Sequence, residues 1–142
     1  MGKAQCGTCH FPPYFNALLP PLFDVSETEV LGTPRTDQLQ RPARDNDLGR
    51  YDLYQIRFYR QAFKTPTVRN AQKTPPYMHN GAFNTLETVL DFYNKGGGHG
   101  IGLKTEAQTL PDQALNLTSS EMHQIIQFIN ALTDDPKDFS AN

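Results

Sequence analysis

The chain has 142 residues, a formal charge of −2 at pH 7 and only 37% apolar residues, enough for about one domain with a thin core of its own. That charge gives no grounds for a nucleic-acid or anionic-membrane partner, and no stretch approaches the length of a membrane-spanning helix. Eleven prolines and ten glycines predict long irregular connections.

The first informative stretch is Cys6-Gly7-Thr8-Cys9-His10. Cys-x-x-Cys-His is the attachment pattern of c-type haem: two thiols add to the two vinyl groups of one porphyrin, and the adjacent imidazole becomes the proximal iron ligand. Two cysteines three positions apart on a turn of helix reach the same edge of the macrocycle. A zinc site needs two further Cys or His ligands at short spacing, but there is no third cysteine, and His79, His99 and His123 are scattered. A thioredoxin-type dithiol needs a βαβ context that the pattern lacks. One covalent haem therefore accounts for both cysteines, leaves none for a disulfide and supplies missing apolar mass. An apo structural domain is disfavoured for that reason. Covalent haem is attached after export, so a periplasmic location is expected. Residues 1–5 are no signal peptide, and more upstream protein than those five residues is expected.

Residues 11–50 are rich in breakers. Phe11-Pro12-Pro13-Tyr14-Phe15 and Leu18-Leu19-Pro20-Pro21-Leu22-Phe23 cannot hold a helix, and their apolar side chains need burial against a haem face or within loops. Ser26-x-x-Glu29 is a capping-box pattern, stopped within about a turn by Gly32 and Pro34. Residues 51–63 carry Leu53, Ile56, Phe58 and Tyr59 in a mixed pattern that predicts a short helix. Thr65-Pro66 then opens a second one, with Thr65 as N-cap. Arg69 lies just inside it, suited either to a haem propionate or to a solvated surface.

Lys73 to Gly81 reads as a rigid loop and turn. A well-marked helix follows, capped by Asn84 or Thr85, with Leu86, Val89, Leu90 and Tyr93 on one face and Lys95-Gly96 at its end. On spacing alone Tyr93 is a core residue. Gly96 to Gly100 predicts a flexible loop with His99 exposed. The last helix opens on the capping box Thr118-x-x-Glu121 and runs through Met122, Ile125, Ile126, Ile129 and Leu132 to about Thr133. Met122 reads as packing, His123 as solvated, and 134–142 as a frayed tail.

Residues 2–10, Asp47 to Tyr51, Phe63 to Asn70, Pro76 to Phe83 and Leu86 to Tyr93 together resemble, in order and spacing, the C-terminal haem domain of the bacterial di-haem cytochrome c peroxidase and MauG family. The resemblance covers nearly the whole chain. It implies an all-α, cytochrome c-type haem domain of short helices and long irregular loops, with residues 1–142 forming one such domain at the C-terminal end of a longer two-haem protein. A second, peroxide-reactive haem would lie in an upstream domain, with electrons supplied by a redox partner protein, a small cytochrome or a copper protein. This chain's haem would store and transfer electrons or oxidising equivalents, and the chain by itself would be a weak peroxidase. In peroxidases of the family a methionine at the end of the helix after the Tyr-x-His-x-Gly turn binds the iron. Here Tyr93 occupies that place, as in MauG-like members, and Met78 is the thioether alternative. His79 matches the turn histidine, beside the haem rather than on its iron. A calcium ion is implied at the backbone carbonyls of Thr74 and Pro76. The alternative reading is a free-standing mono-haem electron carrier.

Overall fold

A computed structural model describes residues 2–134 of the chain. Its longest regular elements are α2 and α4, set among loops. In chain order, a 3-10 turn at Cys6–Thr8 leads to β1 (Thr28–Glu29), α1 (Tyr51–Tyr54), a 3-10 turn at Arg57–Tyr59 and β2 (Phe63–Lys64). A further 3-10 turn at Ala71–Lys73 precedes α2 (Leu86–Asn94), α3 (Gly97–Gly100) and α4 (Ser119–Ala131).

The all-α expectation is corrected. β1 and β2 pair as an antiparallel ribbon, with Thr28 opposite Lys64 and Glu29 opposite Phe63. Irregular chain makes up most of the rest, and α1 and α3 are single turns of four residues. The cause lies in the sequence: prolines at 12, 13, 20, 21, 34, 42, 66, 75 and 76 remove donors and restrict their predecessors. Backbone groups there pair through isolated bridges instead, such as Phe11 with Asn16 and Tyr77 with Phe83.

Local expectations between residues 26 and 70 change with it. Thr28 and Glu29 are strand, not the start of a capped helix. The helix expected over 51–63 ends at Tyr54, where Gln55 turns left-handed at φ 53°. No helix follows Pro66. The Thr65 N–H donates to Glu27 O at 3.3 Å and so extends the ribbon. The Thr67 hydroxyl and Val68 N–H then tie this segment to the carbonyls of Tyr14 and Phe15.

The two long helices follow their sequence signals. Thr85 Oγ1 accepts from Thr88 N–H at 3.2 Å, and α2 ends at Lys95 with Gly96 left-handed. At α4 the capping box is complete: Thr118 Oγ1 accepts from Glu121 N–H, and Thr118 N–H donates to Glu121 Oε2 at 2.7 Å. Asn94 joins the two helices, its side chain donating to Leu117 O and accepting from Leu117 N–H at 2.7 Å.

The core is small. Leu39, Ala82, Phe83 and Phe92 form its buried cluster, with Leu31, Tyr77, Met78, Val89, Tyr93 and Ile101 packed against it. Phe92 lies off the expected stripe of α2, because the turn carrying Phe83 covers that flank as well. The segment just after α4 is also tied down. Arg69, Asn70 and Lys73 all donate to Asp134, which the sequence placed in a frayed tail; 135–142 lie outside the described residues. Among the described residues no helix is long and apolar enough to cross a membrane.

One backbone seam tolerates nothing but glycine. Gly98 N–H donates to Leu31 O at 2.9 Å, and a Cβ on Gly98 would stand 2.6 Å from Gly32 Cα. Gly98→Ala is therefore expected to destabilise the fold by about 1–3 kcal/mol through overpacking. Thermal unfolding followed by circular dichroism checks this, and an unchanged midpoint would count against so close an approach.

Candidate haem site

The Cys6–His10 segment is wound into one tight turn. Gln5 enters left-handed at φ 55°, and the N–H groups of Cys9 and His10 both donate to Cys6 O, at 3.3 and 3.0 Å. Thr8 Oγ1 pins the turn by donating to Gln5 O at 2.8 Å. Both cysteines are free thiols. Burial pushes the Cys9 thiol up to about 11; the Thr8 hydroxyl opposes this weakly, and the charges of Glu29 and Glu27 reinforce it. At neutral pH the sulfur therefore keeps its proton, as needed for an S–H to add across a carbon–carbon double bond.

His10 is oriented by its neighbours. Its Nδ1 lies 3.1 Å from Phe15 O, and a carbonyl only accepts, so Nδ1 carries the proton and Nε2 keeps its lone pair. Burial lowers the imidazole pKa, with the carbonyls of Phe15 and Pro66 pulling the other way. The ring is thus held neutral and in the tautomer of a metal ligand, with the backbone supplying the orienting acceptor.

Tyr93 lies near the end of α2 and packs against the buried core cluster. Burial raises its phenol above the ordinary tyrosine range, and Cys9, Cys6 and Glu29 add to the rise. The phenol therefore lies within electrostatic reach of both thiols. No hydrogen bond to the hydroxyl enters among the causes of that shift, whereas the neighbouring Tyr77 donates its own hydroxyl to Ala71 O at 3.1 Å. Glu29 was missed by sequence reasoning. It acts electrostatically on Cys9, His10 and Tyr93 alike, and a strand of two residues leaves no pattern that would have placed it there.

The other expected site residues have different neighbours. Met78 sits in the left-handed region at φ 70° and packs, as Tyr93 does, against the Leu39–Phe83–Phe92 cluster. His79 stacks on Phe63 at 3.5 Å and 9°, and its Nε2 meets Asp45 Oδ2 at 2.6 Å. Arg69 forms an ion pair with Asp134 at 3.2 Å. His99 is exposed as expected, but its Nε2 faces Thr105 O at 2.8 Å and α3 replaces the flexible loop. Thr74 donates its hydroxyl to Ala71 O at 3.3 Å, and both it and Pro76 are exposed.

The residues present fit a c-type haem. Two protonated thiols flank an oriented neutral imidazole, the Tyr93 phenol is within electrostatic reach of both thiols, and next to Pro66 the buried Thr65 Oγ1 has no partner among the described residues. Such an orphan hydroxyl costs about 1–3 kcal/mol unless something bonds it. Calcium fits less well. Thr74 and Pro76 bring carbonyls without carboxylates, and no cluster of acidic or histidine side chains gathers among the described residues, short of the roughly six to eight oxygens that ion takes.

Loop-rich helical packing around a Cys-x-x-Cys-His turn defines a cytochrome c-like domain. No family model matches the chain. Cytochrome-c peroxidase IdrP1 of Denitromonas iodatirespirans is 36% identical over 96% of this chain and 40% of its own length. The methylamine utilization protein MauG of Methylorubrum extorquens is 34% identical over 95% of this chain and 33% of its own. A crystal structure of a MauG-like protein associated with microbial copper homeostasis superposes with a TM-score of 0.65 at 25% identity, covering 94% of this chain and 43% of that one. The chain belongs to the cytochrome c peroxidase and MauG family, and it spans a third to two-fifths of the length of these curated relatives.

Proposed function

We propose that this chain is the haem-bearing, electron-handling domain of a di-haem peroxidase or MauG-like oxidoreductase, and that residues 1–142 are the C-terminal part of that longer protein. Cys6 and Cys9 would hold one haem c as thioethers, and His10, through Nε2, and Tyr93 would supply the ligands of its iron. When bound, the haem supplies a one-electron redox centre. Phe15 O fixes the imidazole, Thr65 Oγ1 offers a donor to a haem carboxylate, and Glu29 sets a negative field around the ligands. With His10 and Tyr93 both committed as ligands, this domain would hand electrons or oxidising equivalents to a second haem in an upstream domain rather than meet peroxide itself. A periplasmic location and a soluble redox donor follow from that reading.

The observation that carries the proposal is the Cys6–His10 turn, with the N–H groups of Cys9 and His10 both closed on Cys6 O and the imidazole oriented by Phe15 O. The competing ligand, Met78, is distinguished by one measurement. The ferric spectrum of the haem-loaded chain, recorded into the near infrared, is expected to be low-spin without the band of iron–thioether bonding, and Tyr93→Phe is expected to change it. A thioether band insensitive to Tyr93→Phe would give the position to Met78 and the chain to the electron carriers. The consequence is chemical: phenolate favours the ferric and higher states, whereas thioether raises the potential.

A further inference from the structure

Residues 50–61 leave the body of the fold as a closed loop. Arg50 N–H donates to Ala62 O and Gln61 N–H to Leu48 O, both at 2.9 Å, which pinches the base shut. Gly49 makes that possible, since at φ +58° a Cβ there would strike Ala62 O at 2.4 Å. Beyond the pinch the loop exposes its large apolar side chains: Leu53 by 77%, Tyr54 by 54%, Ile56 by 49% and Phe58 by 65%. So many large apolar side chains exposed on one short loop mark an interaction site rather than ordinary solvent-facing loop.

Charge specifies the occupant. The Arg50 guanidinium lies over the Tyr54 and Tyr59 rings at 5.2 and 4.6 Å, and Arg60 over Tyr51 at 5.8 Å. Stacking uses the faces of these groups and leaves their N–H edges free for carboxylates. Neither forms an ion pair among the described residues, whereas Arg57 is neutralised by Glu106 at 2.8 Å. Two ready cations ringing an apolar centre, built of Arg, Tyr and Phe, form the composition of a protein-binding hot spot. The loop also adjoins the site: β2 begins at Phe63 and pairs with Glu29, which acts on Cys9 and Tyr93.

We propose that loop 50–61 is the docking surface for a separate acidic one-electron carrier, its carboxylates meeting Arg50 and Arg60 around Leu53, Ile56 and Phe58. This rests on the redox reading above. One electron leaves the reduced carrier, which is oxidised, and reduces the ferric haem of this chain; no bond is made or broken.

Stopped-flow reduction of the haem-loaded chain by reduced plant-type ferredoxin, an acidic carrier, tests it against dithionite as a small reductant. The ferredoxin rate is expected to fall with rising salt, and Arg60→Ser or the pair Leu53→Ser with Phe58→Ser to lower it about tenfold or more. Dithionite reduction is expected to stay unchanged, which shows that the variants are folded and loaded. A salt-independent rate, or variants as fast as the parent, would overturn the proposal. So would a dimer in sedimentation that Leu53→Ser with Phe58→Ser dissolves, or binding to phosphatidylglycerol vesicles lost in that variant. A chain with no dithionite-reducible haem sinks the redox reading as well, and this is seen before any carrier is added.

Discussion

Phe92→Ala is expected to cost the fold about 3–5 kcal/mol, a large share of the roughly 5–15 kcal/mol that holds a domain together. Phe92 is fully buried, with its ring centroid 5.4 Å from that of Phe83 and 5.7 Å from that of Tyr93. The neighbours cannot close the gap: Phe83 is fixed by the Tyr77 bridge, and Leu39 is the only other large side chain in the buried cluster. Denaturant unfolding of parent and variant checks this, with Phe92→Leu expected to lose much less. A drop below about 1 kcal/mol would mean that the fold draws its stability from elsewhere. Because Tyr93 packs edge-on against this ring, Phe92→Ala is also expected to disturb the ferric spectrum, whereas a core change remote from α2 would not.

The second large effect is chemical. In the double variant Cys6→Ser, Cys9→Ser no haem is expected to survive denaturing electrophoresis, while each single variant retains one thioether and stains. Staining of the double variant would exclude these thiols as the attachment points. The same sulfurs give the haem-free chain a definite alkaline limit. The Cys9 thiol rises from 9.0 to about 11 on folding, so between those values the folded chain binds more protons than the unfolded one. Its contribution is complete below pH 9 and is lost as pH climbs toward 11, and Tyr93, also raised, acts in the same sense. Unfolding midpoints of the haem-free chain are thus expected to fall through that window, and Cys9→Ser to reduce the fall. An equal fall in Cys9→Ser would assign it to other groups.

Local signals survived folding where they were self-contained. The Cys6–His10 turn, the Thr85 cap of α2 and the Thr118–Glu121 box of α4 each depend on residues within a few positions of one another, and each was legible. The ribbon was not: two residues per strand carry no alternation, and Glu29, which acts on Cys9, is placed by pairing with Phe63, 34 positions later. Phe92 escaped for a related reason. Helical periodicity finds the face turned to one neighbour, and α2 has neighbours on two flanks. The all-α expectation weighed the resemblance above the prolines, whose missing N–H groups left much of the chain to turns and bridges. Arg69 was read as suited to a haem propionate or to solvent and His79 as a turn histidine beside the haem, whereas their partners here, Asp134 and Asp45, lie too far along the chain for spacing to reveal them.

The glycine seam bears on how this sequence can change with time. Gly32 and Gly98 each fill the space that the other's side chain would need, so enlarging either cannot be offset by shrinking the other, which is already as small as a residue can be. Compensating pairs, the ordinary route by which packed positions drift, are closed to these two. Gly32, at φ +67°, is held a second time by its backbone. Both positions are therefore expected to stay fixed in a library selected for folding.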